Sequence, residues 1–298
     1  MIAYRHSGHS PSEIQTSLQL VRESFGDVDM AYGDYYDWLF LQNPAGKGTV
    51  VLAYDGEHPV GQVASIPCNY LDADGEPLKL TLTMNVCVSE NYRGQGILTE
   101  LMKQIHRDSH VPFSIGVPNS QSMRGHLKNG YHPLPMKLLL KLLWKKGRSA
   151  EPLQRFDKGF DIDKFIRQER SARFLNWRYV DNPYRKYRVF ANNSGYVVAR
   201  TADIGGKKRG LIVDCVGADK SLIENALAYF RDNGIRFAAA ACFPNCIEYD
   251  ALKKSGFHQI PERFKPHPMA LCVKTLNDGK AALDSRNWFF MLGDYETF

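Results

Sequence analysis

Paired cysteines are missing from this chain of 298 residues. Its six cysteines, Cys68, Cys87, Cys215, Cys242, Cys246 and Cys272, form no Cys-x-x-Cys pair, and most sit in apolar runs. That argues against a disulfide framework and a structural zinc or other metal site, and leaves free thiols that behave as small hydrophobes. Long hydrophobic runs are missing too. The longest, Met136 to Trp144, is broken by Lys137 and Lys141 and is far shorter than the ~20 residues a bilayer requires. The start, Met1-Ile-Ala-Tyr-Arg5, has no apolar h-region, so a cytoplasmic protein without a membrane partner is expected. No basic run of five or more occurs, and Lys plus Arg exceed Asp plus Glu by only 38 to 32. So diffuse a surplus argues against nucleic acid as a partner and suits anionic small ligands.

What is present is enough apolar material for a large core: 44% hydrophobic and 12% aromatic residues. The length points to two domains, and the chain repeats itself. Trp38-x4-Asn43-Pro44 recurs as Trp177-x4-Asn182-Pro183, each time ahead of a strand-like run. Val86-Cys87-Val88 recurs as Asp214-Cys215-Val216, each leading to a helical stripe. The stripes are Ile97, Leu98, Leu101, Met102, Ile105 and Leu222, Ile223, Ala226, Leu227, Phe230. Pro118-Asn119 and Pro244-Asn245 follow, then Gly130-Tyr131 and Gly256-Phe257 at equal intervals, then Pro135-Met136 and Pro268-Met269. These landmarks place one domain at residues 1–148 and a second at 149–298, with the polar stretch Lys145 to Pro152 as hinge.

Within the first domain, Ser10-Pro11-Ser12-Glu13 opens a helix as N-cap, first-turn proline and back-bonding glutamate. Ile14, Leu18, Val21 and Phe25 supply its apolar face. Asp72 to Gly75 and Gly205 to Gly210 read as hairpin tips. The coarse order is helix, three strands, helix, strand, helix and final strands, which makes the fold class α/β: a mixed sheet with helices on both faces.

The segment from Asn85 to Leu101 passes from a strand through Arg93-Gly94-Gln95-Gly96 into a helix. Glycines permit close backbone approach, and a helix N-terminus presents unpaired N–H groups to an anion. This segment resembles the coenzyme A loop of the GNAT superfamily, Arg/Gln-x-x-Gly-x-Gly/Ala after the fourth strand. Arg93, Gly96 and Leu98 stand at the patterned positions, Leu98 replacing the usual small residue. The resemblance implies two tandem GNAT-like domains, each a mixed, largely antiparallel sheet flanked by helices. It implies acyl-CoA as co-substrate, with Arg93, Gly94, Gln95, Gly96, Ile97 and Leu98 on the pyrophosphate. It also implies that Val86, Cys87 and Val88 line the pantetheine arm, with the Val88 backbone N–H on the thioester carbonyl, and that Asn119 meets the coenzyme.

In many members a tyrosine four residues before the Gly of a Gly-Phe pair protonates the leaving thiolate. That spacing from Gly130-Tyr131 falls on His126, which becomes the candidate general acid; Leu252 is its counterpart in the second half. Glu90 is a weaker candidate base and Tyr131 an alternative proton donor. Cys87 has no histidine and acid beside it in sequence and reads as a packed thiol. Matching the apolar stripes sets Ala218, Asp219, Lys220 and Ser221 against Arg93 to Gly96. With both glycines gone and Asp219 facing phosphate, the second domain is expected to bind no coenzyme and to serve as scaffold and substrate wall.

The resemblance implies a small-molecule amine as acceptor. Chains of this size with one intact loop resemble bacterial enzymes that acylate nucleotide-linked (dTDP or UDP) deoxyamino sugars for surface polysaccharides. Tyr184, Tyr187, Trp288, Phe289 and Phe290 are candidates to stack a base or sugar, with core packing as the competing role. Other readings are an N-acetyltransferase of a small amine, amino acid or antibiotic, an aminoacyl-tRNA-dependent peptidyl transferase, and a non-catalytic acyl-CoA-binding regulator. The intact Arg93 loop argues against the peptidyl transferase.

Overall fold

The computed structural model describes residues 1–107, 109–144, 149–265, 269–276 and 280–295. Of the expected hinge, residues 145–148 lie outside the described residues, as does Pro268 of the second Pro-Met pair. The strands are β1 (Ile2–His6), β2 (Thr49–Asp55), β3 (His58–Leu71), β4 (Pro77–Val88), β5 (Phe113–Gly116), β6 (His132–Pro135) and β7 (Lys137–Leu142). Then come β8 (Arg167–Gln168), β9 (Tyr187–Ala191), β10 (Tyr196–Ile204), β11 (Lys207–Val216), β12 (Phe237–Cys242), β13 (His258–Gln259) and β14 (Ala270–Thr275). The helices are α1 (Pro11–Phe25), α2 (Gly33–Tyr36), α3 (Ile97–Gln104), α4 (Ser120–Lys128), α5 (Ala172–Leu175), α6 (Lys220–Asp232) and α7 (Ile247–Lys254).

The first sheet has the order β1-β2-β3-β4-β5-β14-β6, and the second β13-β7-β12-β11-β10-β9. Both are mixed: β4 and β5 pair parallel, as do β11 and β12, while the remaining described pairings are antiparallel. Reading β2-β3-β4-β5-β14-β6 beside β9-β10-β11-β12-β7-β13 shows one connectivity used twice, with one strand exchanged. β7 follows β6 in sequence yet pairs with β12 and β13, whereas β14 pairs with β5. The compact units are accordingly Met1–Asn69, Leu78–Leu134 and Leu271–Leu283, against Tyr70–Pro77, Pro135–Ala270 and Asp284–Phe298. The chain leaves its first unit at Leu134 instead of residue 148, and neither unit is a continuous half.

Local rules account for most elements. Glu13 reaches back as the sequence predicts, accepting from the Ser10 amide at 3.0 Å and its hydroxyl at 2.6 Å. Leu18, Leu20 and Val21 bury the inner face of α1, while Phe25 is exposed. Both Trp-x4-Asn-Pro motifs begin on π-helical turns, Asp37–Leu41 and Asn176–Val180. Their asparagines cap the turn that follows: Asn43 accepts from the Ala45 amide at 2.9 Å, and Asn182 from the Arg185 amide at 2.8 Å. Gly205 and Gly206, both with positive φ, form the second hairpin tip. The rest of that segment belongs to β11.

The expected aromatic stackers are largely inside. Trp288, Phe289 and Phe290 are essentially inaccessible and Tyr187 is buried; Tyr184 alone of the five is exposed. The cause is the segment from Asp284 to Tyr295, which threads through the second unit and bridges Ile166 and Cys242. Among the described residues, no helix is long and apolar enough to cross a membrane.

Candidate active site

At the end of β4 the chain turns away from the sheet. The Ser89 amide still donates to the Val60 carbonyl at 2.9 Å, after which Glu90–Tyr92 makes one 3-10 turn. Tyr92 donates to Asp55 at 3.1 Å, fixing that turn. Gly94 and Gly96 then take φ of 80° and 81°, and a Cβ on either would meet nothing within 4 Å. Glycine is therefore required by the left-handed backbone and not by crowding, and the turn faces open space. The first helical hydrogen bond of α3 runs from the Glu100 amide to the Gly96 carbonyl at 3.1 Å. The amides of Ile97, Leu98 and Thr99 thus precede it, at the positive end of the helix. Arg93 folds back over the turn, its Nε donating to the Val88 carbonyl at 3.2 Å, and Gln95 donates to the Asn91 carbonyl at 3.2 Å.

Below this turn β4 and β5 part. They pair only at Thr81 with Ser114 and at Leu82 with Ile115, so the stretch Thr83 to Val88 has an edge that β5 does not use. Asn85 marks the departure with a φ of 48°, a left-handed kink inside a strand. Asparagine tolerates that conformation better than most residues. Val86 is half-buried and Val88 buried. Cys87 turns inward, its thiol 3.8 Å from the Leu20 carbonyl. Burial pushes that thiol up to about 11, which leaves it protonated and unreactive at neutral pH.

His126 stands over the same parting. A Cβ on Gly116, the last residue of β5, would lie 3.1 Å from His126 Nε2 and 3.4 Å from the Thr83 carbonyl. Nδ1 faces the Ser122 carbonyl at 3.0 Å, so that nitrogen carries the proton. Burial lowers the ring's pKa, with the Ser122 contact opposing. The neutral ring accordingly presents a bare Nε2, and it can release a proton there only after taking one. Tyr131, edge-on to His126 at 5.0 Å, sits in a buried hydroxyl cluster. Its OH donates to Thr83 Oγ1 at 2.9 Å and also meets Ser114 Oγ at 3.2 Å and His106 Nε2 at 3.0 Å. Burial pushes Tyr131 up to about 12 and His106 down to about 4. Sequence alone gives no sign of this cluster, whose members come from β4, β5, the turn after α3 and the residue just ahead of β6. Glu90 is exposed on the turn.

Asn119 caps α4, its Oδ1 accepting from the Gln121 and Ser122 amides at 3.0 and 2.9 Å. Asn245 does something else, donating to the Arg286 carbonyl at 3.0 Å. The second half also departs from the expected alignment of the loop. Between β4 and α3 lie residues 89–96, whereas only residues 217–219 separate β11 from α6. Five residues (eight less three) are absent there, not replaced. Asp219 becomes the N-cap of α6, and its carboxylate accepts from the Leu222 amide at 2.9 Å. A side chain thus occupies the helix end that α3 leaves open.

Residues 7–133 match the sequence profile of the acetyltransferase (GNAT) domain family. That stretch holds the glycine turn, both parting strands and His126. The chain is an acyltransferase. No curated protein matches it in sequence. In fold it is similar to a GCN5-related N-acetyltransferase from Anabaena variabilis ATCC 29413, with a TM-score of 0.63 and 14% identity over 94% of this chain and 74% of that one. A probable N-acyltransferase from Enterococcus faecalis V583 gives 0.63 and 12% over 95% and 74%. Eis1 from Mycobacterium abscessus gives 0.59 and 13% over 96% and 76%. Domains of the GNAT kind use acetyl-CoA as co-substrate. The profile ends before β14, which nonetheless lies beside β5 in the GNAT domain's sheet. No group of three or more His, Cys, Asp or Glu able to hold a metal occurs among the described residues.

Proposed function

We propose that the chain moves an acyl group from a coenzyme A thioester to a primary amine, using one donor site per chain. The observation that carries this is the Arg93 to Gly96 turn, left-handed at both glycines and open to solvent, ahead of the free amides of α3. The donor's pyrophosphate would sit on those amides, with Arg93 and Gln95 beside it. Its slender arm would run along the unpaired edge of β4 at Val86, Cys87 and Val88, where the Val88 amide meets the thioester carbonyl. Asn119 is assigned a coenzyme contact through its amide nitrogen, since its oxygen caps α4. The thioester supplies the activated carbonyl.

In this reading His126 enters each turnover neutral. Nε2 takes the proton the amine sheds on attack and hands it to the departing sulfur, acting first as base and then as acid. The second unit is a GNAT-like repeat without the loop and supports the acceptor side.

As acceptor we propose the amine of a nucleotide-linked deoxyamino sugar, on the strength of chain size and organisation. Burial of Trp288, Phe289 and Phe290 removes the stacking surface expected for a base, and that observation favours a smaller amine as the second reading. A thiol-release screen decides: several acyl-CoA donors paired with nucleotide-linked amino sugars, free amino sugars, amino acids and polyamines. Turnover only with the nucleotide-linked class supports the first acceptor. Thiol release with no amine would refute the transferase reading.

A further inference from the structure

The second unit has a gap of its own. β11 and β12 pair at Gly210 with Ala238, Leu211 with Ala239 and Ile212 with Ala240, then stop, although β11 runs on to Val216 and β12 to Cys242. Cys242 uses one edge to pair with Lys137 of β7. Its bridge to Met291 therefore lies on the opposite edge, the one that faces β11. Two residues further on, Gly293 lies against β11 itself. A Cβ there would collide with the Tyr179 hydroxyl and stand 3.0 Å from the Val213 carbonyl and 3.1 Å from Asp214 Cβ. Met291–Asp294 thus fills the space between the parted strands.

Its hold is polar as well as apolar. Arg178 donates to the Gly293 carbonyl at 3.0 Å and to the Tyr295 carbonyl at 3.0 Å. Arg170 donates to both oxygens of Asp294, at 2.8 and 3.0 Å, and to Asp214 at 3.1 Å. Asp294 folds its own turn by accepting from the Met291 amide at 2.9 Å. These charges are shut away from water, where a guanidinium left without its carboxylate would be costly.

We infer that the gap between β11 and β12 is a peptide-binding site, that its occupant is this chain's own segment Asp284–Tyr295, seated by the 3-10 turn Leu292–Asp294, and that Asp294 is the anchor Arg170 reads. The pairing at Cys242 is a single antiparallel bridge on an otherwise open edge, and the turn that follows it supplies the remaining contacts. Occupied from within, the gap admits no donor arm, so two features silence the second unit: its missing loop and its resident segment. That last consequence rests on the proposed path of the donor arm in the first unit; the site and its occupant do not.

Amide hydrogen exchange on the full chain tests this. Wild-type amides of residues 288–295 should be as protected as those of β12. Gly293→Ala should abolish that protection, expose Val213, Asp214, Ala241 and Cys242, and lower Tm. Asp294→Asn, which keeps the shape and removes the charge, should speed exchange in the same segment at least tenfold. Complete exchange of 288–295 within seconds in the wild type would overturn the inference, and so would wild-type exchange in both variants. If Gly293→Ala fails to fold, the wild type and Asp294→Asn decide. Calorimetry with acetyl-CoA separates the two readings. A wild-type chain that binds none refutes the donor site and leaves the exchange result standing.

Discussion

Replacing Gly96 by alanine isolates the backbone contribution of the turn. Gly96 has a φ of 81°, and an added Cβ meets nothing within 4 Å, so no steric clash enters and the whole effect is conformational. An L-residue held left-handed costs ~1–2 kcal/mol. A free, exposed turn can relax that strain away, and binding has to restore it. Acetyl-CoA affinity should therefore fall roughly 5- to 30-fold, at 1.4 kcal/mol per tenfold. Gly96→Asn should lose less, because asparagine tolerates the left-handed region. Gly96→Glu should lose essentially all binding, since a carboxylate would face phosphate. Isothermal calorimetry at one fixed salt concentration reads all three. Equal affinity for wild type, alanine and glutamate variants would refute the assignment of the turn.

Three further outcomes are expected. His126→Phe should depress turnover by about 10²-fold or more with donor affinity nearly unchanged, and a variant turning over normally would remove His126 from the chemistry. Cys87→Ala should leave turnover within about twofold and lower stability by about 1 kcal/mol; loss of turnover with retained fold would restore a nucleophile reading. His106 is held neutral, its value pushed from 6.5 to about 4, so the unfolded chain takes up a proton first as the medium acidifies. Its contribution is complete above pH 6.5 and lost as pH falls toward 4, on the order of 2–3 kcal/mol after allowing for partial exposure. Urea denaturation at pH 7.5 and 4.5 should show this loss in the wild type and a smaller one in His106→Gln.

The glycine turn was legible because its chemistry is local: strand, two glycines and an amphipathic helix lie within one short stretch. The stripes of α3 and α6 and the Glu13 back-bond were legible for the same reason. The strand exchange was not. Lys137–Leu142 and Ala270–Thr275 are both short apolar strands, each preceded by a short helix and a Gly-aromatic turn, and nothing in their alternation says which sheet edge receives them. The loop comparison failed more subtly. Apolar phase aligned Leu222 with Ile97, but helix starts are set by caps, and Asp219 caps α6 so that the helix begins at Lys220, two residues before its stripe. Trp288, Phe289 and Phe290 read as a possible stacking surface because composition reports an aromatic cluster and not the strands that enclose it. Tyr131 could be read as a proton donor, whereas the hydroxyl cluster that engages it is assembled only by the sheet.

The exchange of β7 and β14 bears on how the molecule is made. During synthesis the first sheet lacks the strand beside β5 until Ala270–Thr275 has left the ribosome, some 150 residues after Gly116. Until then β5 presents an open edge to any passing strand, and β7 waits without β12. A fragment ending at residue 148 would keep that liability permanently, carrying the whole glycine turn on an unfinished sheet. Its tendency to aggregate, set against the full chain, would report on assembly and not on the turn.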